Sequence, residues 1–208
     1  MIDQVLEAMG GRGAIGKLES LSVVADCTGP NGAFVTAVSS LRPDKVLFQQ
    51  HAPQGTTELI VIGDQAWLRD QETGATQPVS AANAYFARGH EFHLWLLELD
   101  KRYHDHQLVG EEMVADTLCH KLTMRADDDS LVTLWLDATT YLPHQWQYPL
   151  PAAFGGDVLR YVLTAWRPVG GLTLFHAFTL YQGDTIFTYT YRSIELNSVD
   201  PELFSAHE

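Results

Sequence analysis

Basic side chains are scarce: 13 lysines and arginines are scattered among 26 aspartates and glutamates, for a formal net charge of -13 in 208 residues. A nucleic-acid binder needs a basic stripe that displaces counterions from phosphates, and this chain has none. The same imbalance disfavours electrostatic docking on an anionic membrane surface. No apolar run approaches the roughly 18 residues that a membrane-spanning helix needs. The opening Met1-Ile2-Asp3-Gln4-Val5-Leu6-Glu7 puts acids where an export signal carries Lys or Arg ahead of an apolar core. Two expectations stay open: a chain that remains inside the cell, or a mature domain whose export signal has been removed. Low-complexity tracts and repeats of fixed period are also missing.

Cysteine is nearly absent too, with only Cys27 and Cys119. Strand alternation places Cys27 on a face with Leu21, Val23 and Ala25, but Cys119 on a face with Lys121, Thr123 and Arg125. One apolar and one polar face make a disulfide awkward, so two free thiols are expected. The chain has no Gly-x-Ser-x-Gly elbow, phosphate-binding glycine loop or nucleotide fingerprint, and no cofactor is expected. Gly89-His90-Glu91-Phe92-His93 lacks the His-Glu-x-x-His spacing, and no cysteine cluster completes a metal site. These histidines, with His104 and His106, are expected to be solvated or packed on helices. Glu111 with Glu112, and Asp127-Asp128-Asp129, read as solvated acids in turns or at strand ends.

What the chain does have is strands. Hydrophobic residues make up 46% and charged residues 19%, enough apolar material for a sizeable core. Residues 2–9 read as a short helix stopped by Gly10-Gly11, with another helical turn over 13–18. Strands are expected near 19–28, 33–42, 45–51, 57–62, 66–69, 106–112, 116–125, 131–137, 143–148, 157–167, 172–182 and 185–196. Tight turns such as Gly29-Pro30-Asn31-Gly32, Arg42-Pro43-Asp44, Gly170-Gly171 and Gly183-Asp184 separate several of them. Strands joined this way pair antiparallel, because a parallel pair needs a long crossover. One stretch breaks the pattern. From Ser80, a plausible N-cap, to about Lys101 the spacing is helical, with an interruption at Gly89, and the stretch is apolar nearly all round.

Several strands carry apolar residues on both faces. Over 172–180 one face holds Leu172, Leu174, His176, Phe178 and Leu180, and the other still shows Phe175 and Ala177. Over 185–196 Phe187, Tyr189 and Tyr191 oppose Ile186, Ile194 and Leu196. By contrast, 118–125 is one-sided, with Leu118, Leu122 and Met124 against Lys121, Thr123 and Arg125. A sheet with one wet side should alternate like the last of these. Doubly apolar strands imply a sheet covered on both sides, or one lining a cavity beneath the helical segment; a solid sandwich core is the competing reading.

Along the chain follow, in order, Ala8-Met9-Gly10-Gly11; Leu41-Arg42-Pro43-Asp44-Lys45-Val46; Thr57 through Gly63-Asp64-Gln65-Ala66-Trp67; Leu134-Trp135-Leu136-Asp137 with Tyr141-Leu142-Pro143; Trp166-Arg167-Pro168-Val169-Gly170-Gly171-Leu172; and Ile194-Glu195-Leu196-Asn197 with Pro201-Glu202-Leu203-Phe204. This ordered set of motifs resembles the LolA-type lipoprotein carriers and the wider family of outer-membrane lipoprotein-sorting proteins. The resemblance spans nearly the whole chain. It departs at Ile62, where the family often shows Asp, and at Phe175, where many members have Pro before the His matching His176. It implies a mainly β fold, an incomplete, strongly curved antiparallel barrel with a helical lid at about 80–101 and a short N-terminal helix, as a single domain over 1–208.

The function so implied is a non-catalytic carrier that holds a lipid or a lipoprotein acyl chain in an apolar cavity of the cell envelope. The chain is then expected to be periplasmic or otherwise extracytoplasmic and to act as a monomer. Its partner would be the lipid, with a membrane-bound donor or acceptor protein, and not nucleic acid. Candidate ligand-binding residues are Arg42, Phe48, Leu59, Val61, Trp67, Phe86, Trp95, Leu174, His176, Phe178 and Tyr189. The resemblance gives Arg42 the role of tying sheet to lid through backbone carbonyls; a plain turn arginine before Pro43 is the competing reading. The alternative function is a small-molecule enzyme on the same container, with His176 as acid or base. A satisfied core or cavity histidine competes with that role.

Overall fold

The computed structural model describes residues 1–150 and 156–205. Two short helices, α1 (Ile2–Ala8) and α2 (Gly11–Gly16), precede six strands: β1 (Ser20–Gly29), β2 (Gly32–Leu41), β3 (Lys45–Ala52), β4 (Gly55–Ile62), β5 (Gln65–Arg69) and β6 (Thr76–Val79). Three helices follow, α3 (Ala81–Arg88), α4 (Phe92–Leu97) and α5 (Leu99–Arg102). The remaining strands are β7 (Tyr103–Val114), β8 (Thr117–Ala126), β9 (Leu131–Asp137), β10 (Pro143–Pro149), β11 (Val158–Val169), β12 (Leu172–Gln182) and β13 (Thr185–Leu196). A 3-10 turn at Pro201–Phe204 comes last.

The strands form one 13-stranded sheet in the order β6-β5-β4-β3-β2-β1-β13-β12-β11-β10-β9-β8-β7. Apart from β1 with β13, every pair of strands adjacent in the sheet is consecutive in sequence, as antiparallel pairing across short links allows. The sheet stays open, with β6 and β7 as its two edges. The helical segment is the link between those edges. Strand β6 was not expected from the sequence. It is four residues long and contains Pro78, which an edge strand tolerates because one side of its backbone needs no ladder bond. Ser80 does sit at the N-cap of α3, but its hydroxyl accepts from the Asn83 side-chain amide (3.1 Å) and makes no side-chain cap bond.

Tertiary contacts divide the chain into two compact units: Met1–Ile15 with His93–Thr188, and Gly16–Phe92 with Tyr189 onward. In the second unit, β3 and β4 bury both faces. The registers Phe48↔Leu59 and Val46↔Val61 put these four side chains on one face, and α3 packs against β3, β4 and β5. On the other face Leu47 and Ile60 form a core with Phe204, joined by Leu41, Ile62, Trp67 and Val199. A short helix covers one side and the C-terminal turn the other. That is why these strands show no polar alternation.

The C-terminal turn is held by a buried carboxylate. Glu58 accepts from Gln49 Nε2 (2.6 Å), Gln71 Nε2 (2.8 Å) and Arg69 Nη1 (2.7 Å). Arg69 Nη2 donates onward to the carbonyls of Leu203 and Ser205, each at 3.1 Å, on either side of Phe204.

In the first unit, α1 docks through Met9, whose carbonyl accepts from Thr173 N (3.0 Å). Gly10 follows with φ 119, and a Cβ there would lie 2.5 Å from the Gly171 carbonyl oxygen. Only glycine satisfies both the backbone angle and the close approach. Across β7–β9 the one-sided pattern is only partly kept. Leu122 and Met124 are buried, but Leu118 is 46% exposed, while Cys119 on the polar face is fully buried. Both cysteines are free, and burial pushes each thiol up to about 11. Two of the acids read as solvated are engaged: Glu112 accepts from the Trp135 indole N–H and lies 3.5 Å from Lys121 Nζ, and Glu111 lies 3.0 Å from His120 Nδ1. No helix among the described residues is long and apolar enough to cross a membrane.

Replacing Glu58 with Ala leaves three donors facing a buried gap, and removing one partner of a buried ion pair costs about 3–5 kcal/mol. Part of Arg69 reaches solvent, so a loss of about 3 kcal/mol is expected in urea unfolding at neutral pH, with Glu58→Gln intermediate. An unchanged midpoint for Glu58→Ala would mean that the network contributes nothing to holding the C-terminal turn.

Candidate functional site

The helical segment brings an aromatic group onto each unit. In the second unit Phe86, on α3, meets Phe48 edge-on with centroids 5.2 Å apart. His90 fills the gap, 4.5 Å from Phe48, 4.7 Å from Phe86 and 5.6 Å from Phe92. Phe92 in turn meets Tyr189, which also contacts Phe34. Phe48, Leu59 and Val61 lie fully buried on this face, and burial also raises the Tyr189 hydroxyl well above its usual range. Phe86 itself is 45% exposed despite its contact with Phe48.

Helix α4 does the same in the first unit. Trp95 packs on Trp146 (5.1 Å) and Tyr148 (5.2 Å), and Trp146 stacks on Tyr161 at 4.8 Å. Tyr161 leads to Phe178 and Phe178 to Phe175, whose ring is stacked by His93 at 4.1 Å. The His93 Nε2–H donates to the Phe175 carbonyl (2.9 Å). Opposite, β11 breaks its ladder: Thr164 pairs Ala177 and Trp166 pairs Phe175, but Ala165, with φ 56, pairs with nothing.

The sequence-derived candidates other than Arg42 therefore fall into three places. Phe48, Leu59, Val61 and Phe86 meet where α3 covers β3 and β4, and Tyr189 joins them through Phe92. Trp95 and Phe178 belong to the aromatic chain of the first unit, with Leu174 and half-buried His176 on β12. His176 Nδ1–H donates to the Leu174 carbonyl (3.1 Å), so the ring is tied to its own strand. Trp67 pairs with Ile60 and so faces the Phe204 core, away from Phe48.

Arg42 lies in the β2–β3 turn, where its Nη1 donates to the Leu18 carbonyl (2.7 Å) behind α2. A tie from helix to sheet is made from the helix side. Arg88, in the last turn of α3, sends Nη2 to the carbonyls of Asp44 (2.6 Å) and Gly63 (2.8 Å). Asp44 O also accepts from Gly63 N (3.1 Å), so one guanidinium fastens α3 to two turns already joined to each other. Sequence reasoning missed Arg88 and also missed Trp146 and Tyr148. The last two were legible in principle, since they alternate with glutamines on β10.

Both histidines of the segment are held neutral by desolvation, which lowers each to about 4. The sign follows from linkage. A histidine depressed from about 6.5 when unfolded stabilises the fold fully above pH 6.5 and loses that contribution as pH falls toward 4. For His93 alone the loss across that window is about 3 kcal/mol. His93→Gln, whose amide can still donate to Phe175, is expected to flatten the dependence of urea-unfolding stability between pH 7 and pH 4.5. Identical slopes for the two proteins would rule out this role for His93.

No family model and no curated protein matches the chain in sequence. Solved structures do match in fold. A LolA superfamily protein from Nitrosomonas europaea superposes with a TM-score of 0.66 at 12% identity, covering 98% of this chain and 95% of its own. A domain from Vibrio parahaemolyticus described as an outer membrane lipoprotein-sorting protein gives 0.64 at 12% identity, with 99% and 97% covered. A DUF1329 family protein from Desulfovibrio piger gives 0.60 at 12% identity over 98% and 95%. The open antiparallel sheet, with helices linking its two edges, is thus the LolA-type fold.

Proposed function

We propose that the chain is a non-catalytic carrier that holds a lipid or the acyl chain of a lipoprotein outside the cytoplasm, with α3 to α5 as its lid and the whole chain acting as one carrier. The observation that carries this reading is the chemistry under the helices. α3 and α4 each rest on a face of aliphatic and aromatic side chains, and the two imidazoles there, His90 and His93, each bond a backbone carbonyl. Such a face offers hydrocarbon a place to bind and offers a polar substrate few groups to orient it. The cover is short. Helices of 8 and 6 residues are marginal by themselves, so they persist through packing that a ligand could replace. Each buried methylene contributes about 0.8 kcal/mol, so a dozen would supply about 10 kcal/mol toward displacing them. The half-exposed ring of Phe86 sits where such an exchange would begin. The fold shared with a lipoprotein-sorting domain supports the same reading.

Organic extraction of the purified protein, followed by mass spectrometry, is expected to release fatty acid or phospholipid. The delipidated protein is expected to bind a fluorescent fatty acid, about tenfold more weakly after Trp95→Ala or Phe86→Ser. An empty extract together with no probe binding would reject the carrier.

A further inference from the structure

In the first unit three aliphatic side chains stand half out of water at the same end of the sheet: Leu131 (53% exposed), Val158 (54%) and Ile186 (51%). Each is at or next to the first residue of a strand, on β9, β11 and β13. Those strands run in the same direction, so all three lie at one end of the antiparallel sheet. The registers put two of them on one face. Leu131 lies beside Thr133, which pairs Gln147, which pairs Arg160, and Arg160 lies beside Val158. That face is opposite to the one where Trp146 receives Trp95. The two-residue turn Gly183-Asp184 sets Ile186 across from Tyr181, and Tyr181 pairs with Arg160, whose guanidinium lies 3.8 Å from the Tyr181 ring centroid.

The turns bordering these residues are acidic: Asp127, Asp128 and Asp129 before Leu131, Asp157 before Val158 and Asp184 before Ile186. None of the five enters an ion pair among the described residues. The nearby arginines are already occupied, Arg125 by the Asp129 carbonyl (2.8 Å) and Arg160 by Tyr181. An apolar patch ringed by unneutralised carboxylates repels an anionic bilayer and suits a surface of the opposite charge pattern.

We infer that this end of the sheet is a docking surface for a protein segment that presents aliphatic side chains flanked by lysine or arginine. The surface shares no residue with the faces under α3 and α4, so it does not depend on the chain carrying a lipid.

The probe is a synthetic 14-residue amphipathic Leu/Lys peptide, with a Leu/Glu peptide of the same spacing as control, added to the delipidated full chain and followed by amide NMR shifts and calorimetry. The Leu/Lys peptide is expected to shift resonances of 127–131, 157–158 and 184–186, and the Leu/Glu peptide to leave them unmoved. Affinity is expected to fall at least tenfold in a Leu131→Ser/Val158→Ser/Ile186→Ser variant and in an Asp127→Asn/Asp129→Asn/Asp184→Asn variant. All six side chains are exposed, and native-like amide spectra verify that both variants fold. Shifts spread evenly over the acidic surface, indifference to both variants, or binding to phosphatidylglycerol vesicles in place of the peptide would each overturn the inference. Acyl-chain binding is read separately, so its failure leaves this test intact.

Discussion

Burial on both faces of β3 and β4 is the constraint from which much of the second unit follows. A strand with Val46, Leu47 and Phe48 in succession cannot present either side to water, so something must lie above it and something below. α3 meets the first need and the Phe204 turn the second. An arginine fastens each cover. Arg88 grips the carbonyls of two strand turns, and Arg69, oriented by Glu58, grips the carbonyls flanking Phe204. Guanidinium suits both tasks because its planar fork of donors reaches two acceptors at once and never loses its charge.

The first unit solves the same problem with aromatic surface. Trp95 and His93 lie two residues apart on α4 and reach opposite ends of one run of rings, from Trp146 through Tyr161 and Phe178 to Phe175. Edge-to-face and stacked rings hold their geometry better than aliphatic contacts do, which helps so short a helix find one position. The His93 Nε2–H donates to the carbonyl of Phe175, whose partner Trp166 lies next to the unpaired Ala165 of β11.

The antiparallel pairing of consecutive strands and the helical segment were legible because turns and apolar spacing are local signals, whereas the β1–β13 junction is not local. Gly170-Gly171 and Gly183-Asp184 name their own hairpins, and Gly89 ends α3 where its position predicts. Strand β6 was not legible, since Pro78 argues against a strand unless one already knows that it is an edge. The candidate site was half legible. Phe48, Leu59 and Val61 share a face by alternation alone, but Trp67 lies across the sheet from them, because the register between β4 and β5 decides its side. Arg42 was the visible arginine because it sits in a marked turn. Arg88 acts across 44 residues to reach Asp44, and no local pattern reports a contact over that separation.

The segment that covers these faces is anchored at both ends, to β6 on one side and β7 on the other. Were the segment displaced, as the proposed carrier requires, its two covalent connections would keep it from diffusing away, and its return would be a unimolecular event whose speed ignores protein concentration. A guest on the same faces would then compete with a tethered rival present at high effective concentration. The measured affinity for such a guest would then report the fraction of time the segment stands open as much as the fit of the guest itself.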